Sequence, residues 1–339
     1  MSAERKKLRV DPIKPKTIVY SCPYVPPEWI AAHGFKPRRL IPLPLEGAST
    51  IPRIEGLCPY ARAFGNDAAA CGDMAGIVLT TMCDQMRRLF DLLVRRVDVP
   101  VFLLNVPSTW QTPAAQRLYQ EELKRLGRFL VRLGGHRLEG QELENTMSQY
   151  EVMWELSEVF PERSSCQTLS ESVVAPSMLG HRTTRPRSDS RSVPGVPIGV
   201  IGGPLMQRDR VLFDVIRDCG ACIDFDGTET GGRGKCHLDL WYVRKDYWRE
   251  LMEAYFRIPD PARRPNSEFY QWLRQELKGS AVRGLVLHHY VWCDKWHAEF
   301  ARMKEWIQLP MLRLDSEGEG ELDSPRVRNR ISAFVETLR

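Results

Sequence analysis

Short, uninterrupted apolar runs alternate with amphipathic stretches along most of this 339-residue chain. Ala75 to Thr81 (AGIVLTT), Val101 to Val106, Ile198 to Ile201 and Val282 to His288 are each of strand length. A continuous apolar run marks a strand buried on both faces, as in a parallel sheet covered by helices. Thr17 to Ser21 and Arg39 to Pro42 add two strands near the start, with a helix opening at Pro26-Pro27-Glu28 between them. Helical periodicity follows from Cys58 onward. It recurs over Cys83 to Val94, where Met86, Leu89, Phe90 and Leu93 share one face. Thr112-Pro113 sets an N-cap and first helical residue for a long helix with Leu123, Leu126, Leu130 and Leu133 at core spacing. That helix stops at Gly134-Gly135, and another spans about Gln141 to Phe160.

The alternation breaks between residues 161 and 196, a stretch rich in Ser, Arg, Thr and Pro without apolar period (HRTTRPRSDSRSVPG). It reads as a polar linker between an N-terminal α/β domain (1–160) and a C-terminal one (197–339). In the second half, strands are expected at Ile198 to Ile201, Ala221 to Phe225, Val282 to His288 and Met311 to Leu314. Helices are expected over Val211 to Ile216, Tyr247 to Phe256, Ser267 to Leu277 and Asp294 to Ile307, with a last one capped by Ser324-Pro325. Repeated strand–helix units predict two doubly wound parallel-sheet domains of the Rossmann or flavodoxin kind.

A net charge of +5, spread along the chain, suits an anionic ligand and does not indicate nucleic-acid binding. The Arg5-Lys6-Lys7 run reads as a solvated tail. No apolar stretch approaches the roughly 20 residues of a membrane span, and the first residues lack the apolar core of a secretory signal. A cytoplasmic location is therefore expected. There, nine cysteines, an odd number, are expected as thiols or metal ligands rather than disulfides.

In open parallel sheets ligands sit beyond the carboxyl ends of the strands. Cys22 follows the first strand, Cys83 the third and Cys293 a central strand of the second half, while Cys58 lies at a loop-to-helix junction. Helix N-termini in such a crevice favour thiolates. Spacing leaves two readings open, because free cysteines often merely pack and none of these four forms a CxxC pair. Zinc would also accept three or four thiolates. Cys219 and Cys222 are expected to pack. His297, four residues after Cys293, and His288 and His289, ending a strand, are expected to be solvated or packed, at least one of the latter pair facing away from the crevice. Asp84 and Asp294, each following a cysteine, read as helix caps.

The ordered motifs go further than spacing. Tyr20-Ser21-Cys22-Pro23-Tyr24-Val25-Pro26-Pro27-Glu28-Trp29-Ile30 resembles the opening motif of the 2-hydroxyacyl-CoA dehydratase family, which includes benzoyl-CoA reductase subunits and double-cubane reductases. The resemblance continues at Leu57-Cys58-Pro59-Tyr60-Ala61-Arg62, at Thr80-Thr81-Met82-Cys83-Asp84-Gln85-Met86-Arg87-Arg88 and at Asn105-Val106-Pro107. It returns at Gly284-Leu285-Val286 with Cys293 and at Arg330-Ile331-Ser332-Ala333-Phe334. It implies a [4Fe–4S] cluster between the two domains, ligated by Cys58, Cys83 and Cys293, with Ser21 or Cys22 facing its open iron site and Cys22 either a further ligand or a buried loop thiol. The implied reaction is elimination of water from an acyl-CoA thioester through a ketyl radical, the electron arriving from a separate ATP-dependent iron–sulfur activator. The chain itself carries no Walker-type phosphate motif. The family also implies a dimer, with a second copy or a related subunit. Two alternatives remain: a benzoyl-CoA-reductase-like or double-cubane reductase with an [8Fe–9S] cluster, and a noncatalytic iron–sulfur or structural partner subunit. The chain departs from the family pattern in its shorter, more polar middle segment and near Asp315 to Gly320. Within the resemblance, Gly231-Gly232-Arg233-Gly234 reads as a flexible turn or a contact to a coenzyme A phosphate.

Overall fold

Two four-stranded, wholly parallel sheets carry the chain, in a computed structural model that describes residues 16–43, 49–159, 195–234, 236 and 238–339. The basic run at 5–7 and nearly all of the expected linker (161–194) lie outside the described residues. The first half runs β1 (Thr17–Tyr20), α1 (Pro27–Ala32), β2 (Lys36–Arg39), α2 (Pro59–Ala69), β3 (Met74–Thr80), α3 (Asp84–Leu93), β4 (Val101–Leu104), α4 (Pro113–Arg132) and α5 (Gly140–Val159). The second runs β5 (Val196–Gly202), α6 (Val211–Asp218), β6 (Ala221–Thr228), α7 (Leu240–Phe256), α8 (Ser267–Lys278), β7 (Gly284–Tyr290), α9 (Asp294–Trp306), β8 (Met311–Ser316) and α10 (Pro325–Thr337). The strand orders, β2-β1-β3-β4 and β6-β5-β7-β8, are the same winding used twice. This is the α/β architecture that the apolar runs predict.

Alternation along each strand feeds two cores per sheet. Val19, Ile77 and Leu79 face Phe64 of α2 and Leu89 and Leu93 of α3. Ile18, Tyr20, Val78 and Leu104 face the opposite layer, with Tyr119, Leu123 and Leu126 of α4. In the second sheet, Ile198, Val200 and Val286 pack with α6 and α10, whereas Ile201, Leu285 and Leu287 pack with Phe269, Leu273, Trp296 and Met303 of α8 and α9.

Several boundaries differ from expectation, among them those of β2, β7 and α7. β2 occupies Lys36–Arg39 rather than Arg39 to Pro42. It is an edge strand paired only with β1, so it tolerates Lys36 and Pro37, which disguise it in the sequence. β7 extends to Tyr290, because His288, His289 and Tyr290 continue the ladder against Leu314, Asp315 and Ser316 of β8. α7 starts at Leu240, where the Asp239 side chain accepts the Trp241 N–H, and kinks at Asp246 (φ −156°), just before the expected start.

α7 crosses to the other half. Its Val243, Leu251, Tyr255 and Phe256 enter the core of the first sheet, and Phe256 stacks on Tyr119 at 5.1 Å between centroids. The Tyr255 hydroxyl donates to both carboxylate oxygens of Glu28, at 3.0 and 2.7 Å, inside this α1–α7 contact. Burial lifts Glu28 from 4.5 to about 7, more than the Tyr255 bond lowers it. A carboxyl raised on folding holds its proton longer in the native state, so stability falls as pH rises from about 4.5 to about 7. The loss is on the order of 3 kcal/mol. Glu28→Gln keeps the shape and removes the titration. Urea unfolding across that window is expected to show this part of the slope in the wild type and not in the variant. Among the described residues, no helix is long and apolar enough to cross a membrane.

Candidate metal centre

Three helices of this protein begin with cysteine. Cys58 is the N-cap of α2, Cys83 of α3 and Cys293 of α9, and none of the three side chains makes a capping hydrogen bond. Ser, Thr, Asp and Asn are preferred there, because a side-chain oxygen satisfies an orphan N–H at the helix start, worth about 0.5–2 kcal/mol over an inert residue. Three other helices follow that preference, whereas Pro26, Arg210 and Asn266 open α1, α6 and α8 without a capping bond. Thr112 caps α4, Asp239 caps α7 and Ser324 caps α10, each accepting a backbone N–H. The three cysteines share one kind of position, and the helix N–H groups that follow them oppose the rise that burial gives each thiol.

Topology explains why they gather. Cys83 and Cys293 are equivalent in the repeated winding: β3 ends at Thr80 and β7 at Tyr290, each followed by two residues, a cysteine and the first residue of a helix. Both lie at points where the strand order reverses, which is where doubly wound sheets bind ligands. Contacts between the halves bring these ends together. Tyr60 of α2 packs on Tyr290 at 6.0 Å, and Gln207, before α6, bonds the carbonyls of Ile41 and Pro42. Arg53 pairs with Glu317 and Glu319 at 3.1 and 3.0 Å.

Cys58 is buried, and Cys83 and Cys293 are partly buried. Burial pushes the Cys58 thiol far up, and the neighbouring Cys293 and Cys83 add to the rise. Cys293 goes up to about 11 through burial, opposed by Lys295 and reinforced by Cys83. Cys83 also rises through burial, opposed first by Lys295. The three thiols thus lie within each other's electrostatic reach. Among the described residues, no group of three or more His, Cys, Asp or Glu side chains is arranged to hold a single metal ion. Three thiols within electrostatic reach of one another are a donor set that a metal group could take, one sulfur per ligand position.

A largely buried chain of charges lies beside the thiols. Arg39 of β2 approaches Glu229, after β6, at 3.6 Å; Glu229 lies 3.8 Å from Arg233; Arg233 pairs with Asp260 at 2.9 Å; Asp260 pairs with Lys295 at 3.1 Å. Burial alone would lower Lys295, but Asp260 and Glu229 overcome it and hold the ammonium above the ordinary lysine range. The glycine run (231–234) belongs to this network. It folds into a 3-10 turn, and a side chain at Gly234 would run into the Glu229 carbonyl. Arg233 is buried in it, donating to Asp260 and to the Gly202 carbonyl, at 3.0 Å in the latter case.

The remaining expected residues separate clearly. Ser21 and Cys22 are buried at the end of β1; the Ser21 hydroxyl points to the Met86 sulfur of α3 at 3.9 Å. Cys22 rises to about 12 through burial, then through Glu229. Tyr60 feels both Cys22 and Cys58. Cys219 and Cys222 sit at the far, N-terminal end of the second sheet, their thiols 3.6 Å from the carbonyls of Arg328 and Gly195. His288 and His289 are both buried, and burial drives His288 down to about 3; His297 is exposed. Asp84 and Asp294 do not cap. They are first helical residues, exposed, because the cysteines before them hold the N-cap positions. Beside Cys58 and Cys293 opens a cleft of about 280 Å³ lined by Arg53, Leu57, Pro59, Arg62, Trp292 and Glu317.

Residues 22–338 match the family described as 2-hydroxyglutaryl-CoA dehydratase, D-component. No curated protein matches the chain.

Proposed function

From the premise that the chain belongs to the 2-hydroxyglutaryl-CoA dehydratase D-component family, and is thus a dehydratase-type enzyme subunit, we propose that it holds a [4Fe–4S] cluster on Cys58, Cys83 and Cys293 and acts as a lyase on a 2-hydroxyacyl-CoA thioester. The observation that carries this reading is the set of three N-cap cysteines, charge-coupled and delivered from two sheets. The chemistry such a group supplies when bound is one-electron reduction of the thioester, which frees the 2-hydroxyl to leave and acidifies an otherwise unreactive β-proton.

The protein's own residues prepare that site. The thiols must lose their protons to bind metal, and burial opposes the loss. Three helix N-termini and the Lys295 ammonium offset the resulting negative charge. Asp260 fixes Lys295 through both carboxylate oxygens, at 3.1 Å each, so the cation stays with the thiols. Tyr60, Tyr290 and Met206 form the apolar packing that keeps water from the Cys58 side. Ser21 and Cys22, which follow β1, would line the substrate side of such a cluster in this reading. The electron would come from an ATP-dependent iron–sulfur activator, and a second copy or related subunit would complete the enzyme.

Anaerobic reconstitution followed by iron and acid-labile sulfide analysis tests the proposal. About four irons per chain are expected, whereas about eight would indicate the double-cubane reading with Cys22 recruited. Absence of both iron and sulfide would overturn every cluster reading.

A further inference from the structure

Gln85 touches all three cysteine-bearing segments. It stands in the first turn of α3, two residues after Cys83. Its Oε1 accepts the Cys58 N–H at 2.8 Å, and its Nε2 donates to the Trp292 carbonyl at 3.1 Å. Two of these segments belong to the first sheet and one to the second.

Each contact meets a local need. The N-cap N–H is commonly satisfied by a Glu or Gln at the third helical position, reaching back in a capping box. In α2 that position is Ala61, which has no such side chain, and Gln85 supplies the acceptor from a neighbouring helix. Trp292 is, among the described residues, the only non-glycine residue with positive φ (65°). That conformation is costly for a bulky residue and persists only where surroundings impose it. The equivalent turn before Cys83 has no such residue. The turn that presents Cys293 is therefore strained, and it is held from across the boundary between the halves.

Resting on the cluster reading above, we propose that Gln85 is a positioning residue that locks Cys58 and Cys293 into the frame of Cys83, setting the spacing of the three thiols before any metal binds. A glutamine suits this task because its amide carries an acceptor and a donor at one tip. Glutamate keeps the acceptor for Cys58 and turns a second acceptor against the Trp292 carbonyl. Leucine keeps neither.

Amide hydrogen exchange on the metal-free full-length protein separates these cases. Cys58 N–H reports the first contact, and Cys293 N–H, bonded to the Tyr290 carbonyl, reports the strained turn. Gln85→Leu is expected to speed exchange at both by on the order of fivefold to tenfold, the ratio for loss of one net hydrogen bond, while the core amide of Val78 stays unchanged. Gln85→Glu is expected to speed Cys293 and leave Cys58 protected. After reconstitution, Gln85→Leu should surrender iron to a chelator faster than the wild type. Unchanged exchange at both amides in Gln85→Leu, equal disturbance of both in Gln85→Glu, or wild-type iron retention in Gln85→Leu would each overturn the proposal. Failure of the wild type to take up iron, with the exchange pattern as expected, would remove the cluster and leave the clamp standing.

Discussion

Serine in place of Cys58, Cys83 or Cys293 is expected to abolish the iron–sulfur absorbance of the anaerobically reconstituted protein, whereas Cys219→Ser leaves it at the wild-type level. The experiment is informative because serine costs the fold little at these positions. All three are helix N-caps, where serine is a preferred residue and cysteine makes no capping bond. Each variant is expected to unfold at the same or slightly higher urea concentration than the wild type, so loss of the chromophore reports lost ligation rather than lost structure. Cys219 is a matched control, a partly buried thiol at the opposite end of the second sheet. Normal iron content in all four variants would mean that the ligands lie elsewhere.

Asp260→Asn is expected to cost about 3–5 kcal/mol of stability, the range for leaving a buried charge without its partner. Asp260 is 2% exposed and accepts from Arg233 at 2.9 Å and from Lys295 at 3.1 Å. Burial alone would raise its carboxyl, but Lys295 and Arg233 outweigh burial and hold it below the usual carboxylate range. The asparagine variant leaves Lys295 with no carboxylate within salt-bridge distance among the described residues. Removing both charges in Asp260→Asn/Lys295→Met should restore part of the loss, since apolar replacement of a buried pair is often neutral. The pH dependence has a definite sign. A depressed carboxyl stabilises the fold above its unfolded value, and that stabilisation disappears as pH falls through the lower folded value. The wild type should therefore lose this contribution on acidification, and Asp260→Asn should not. A midpoint shift in urea equivalent to less than about 1 kcal/mol, at unchanged slope, would show that the network contributes nothing net.

Local order was legible where one face of an element dominates its sequence. The AGIVLTT run gave β3 within a residue, and Thr112-Pro113 and Ser324-Pro325 gave the starts of α4 and α10. Edge strand β2 and the histidine-bearing end of β7 escaped, because their polar side chains are tolerated by pairing that only the sheet defines. The cysteines were legible as a set because strand ends and helix starts frame them. Lys295, Asp260, Glu229, Arg233 and Gln85 were not. Charged and amide residues ordinarily face solvent, and nothing in one dimension marks those that are buried against a partner up to about 200 residues away.

By itself, then, the order of residues determined two parallel α/β units and the delivery of Cys58, Cys83 and Cys293 to helix starts, since both follow from periodicity within a few turns of chain. Only the tertiary structure decided that α7 completes the core of the first sheet, that a half-buried cation stands beside the thiols, and that Gln85 joins all three cysteine segments. Those outcomes depend on how two halves pack against each other. Burial of that contact creates the low-dielectric setting in which charges must find partners, a demand that no single segment expresses.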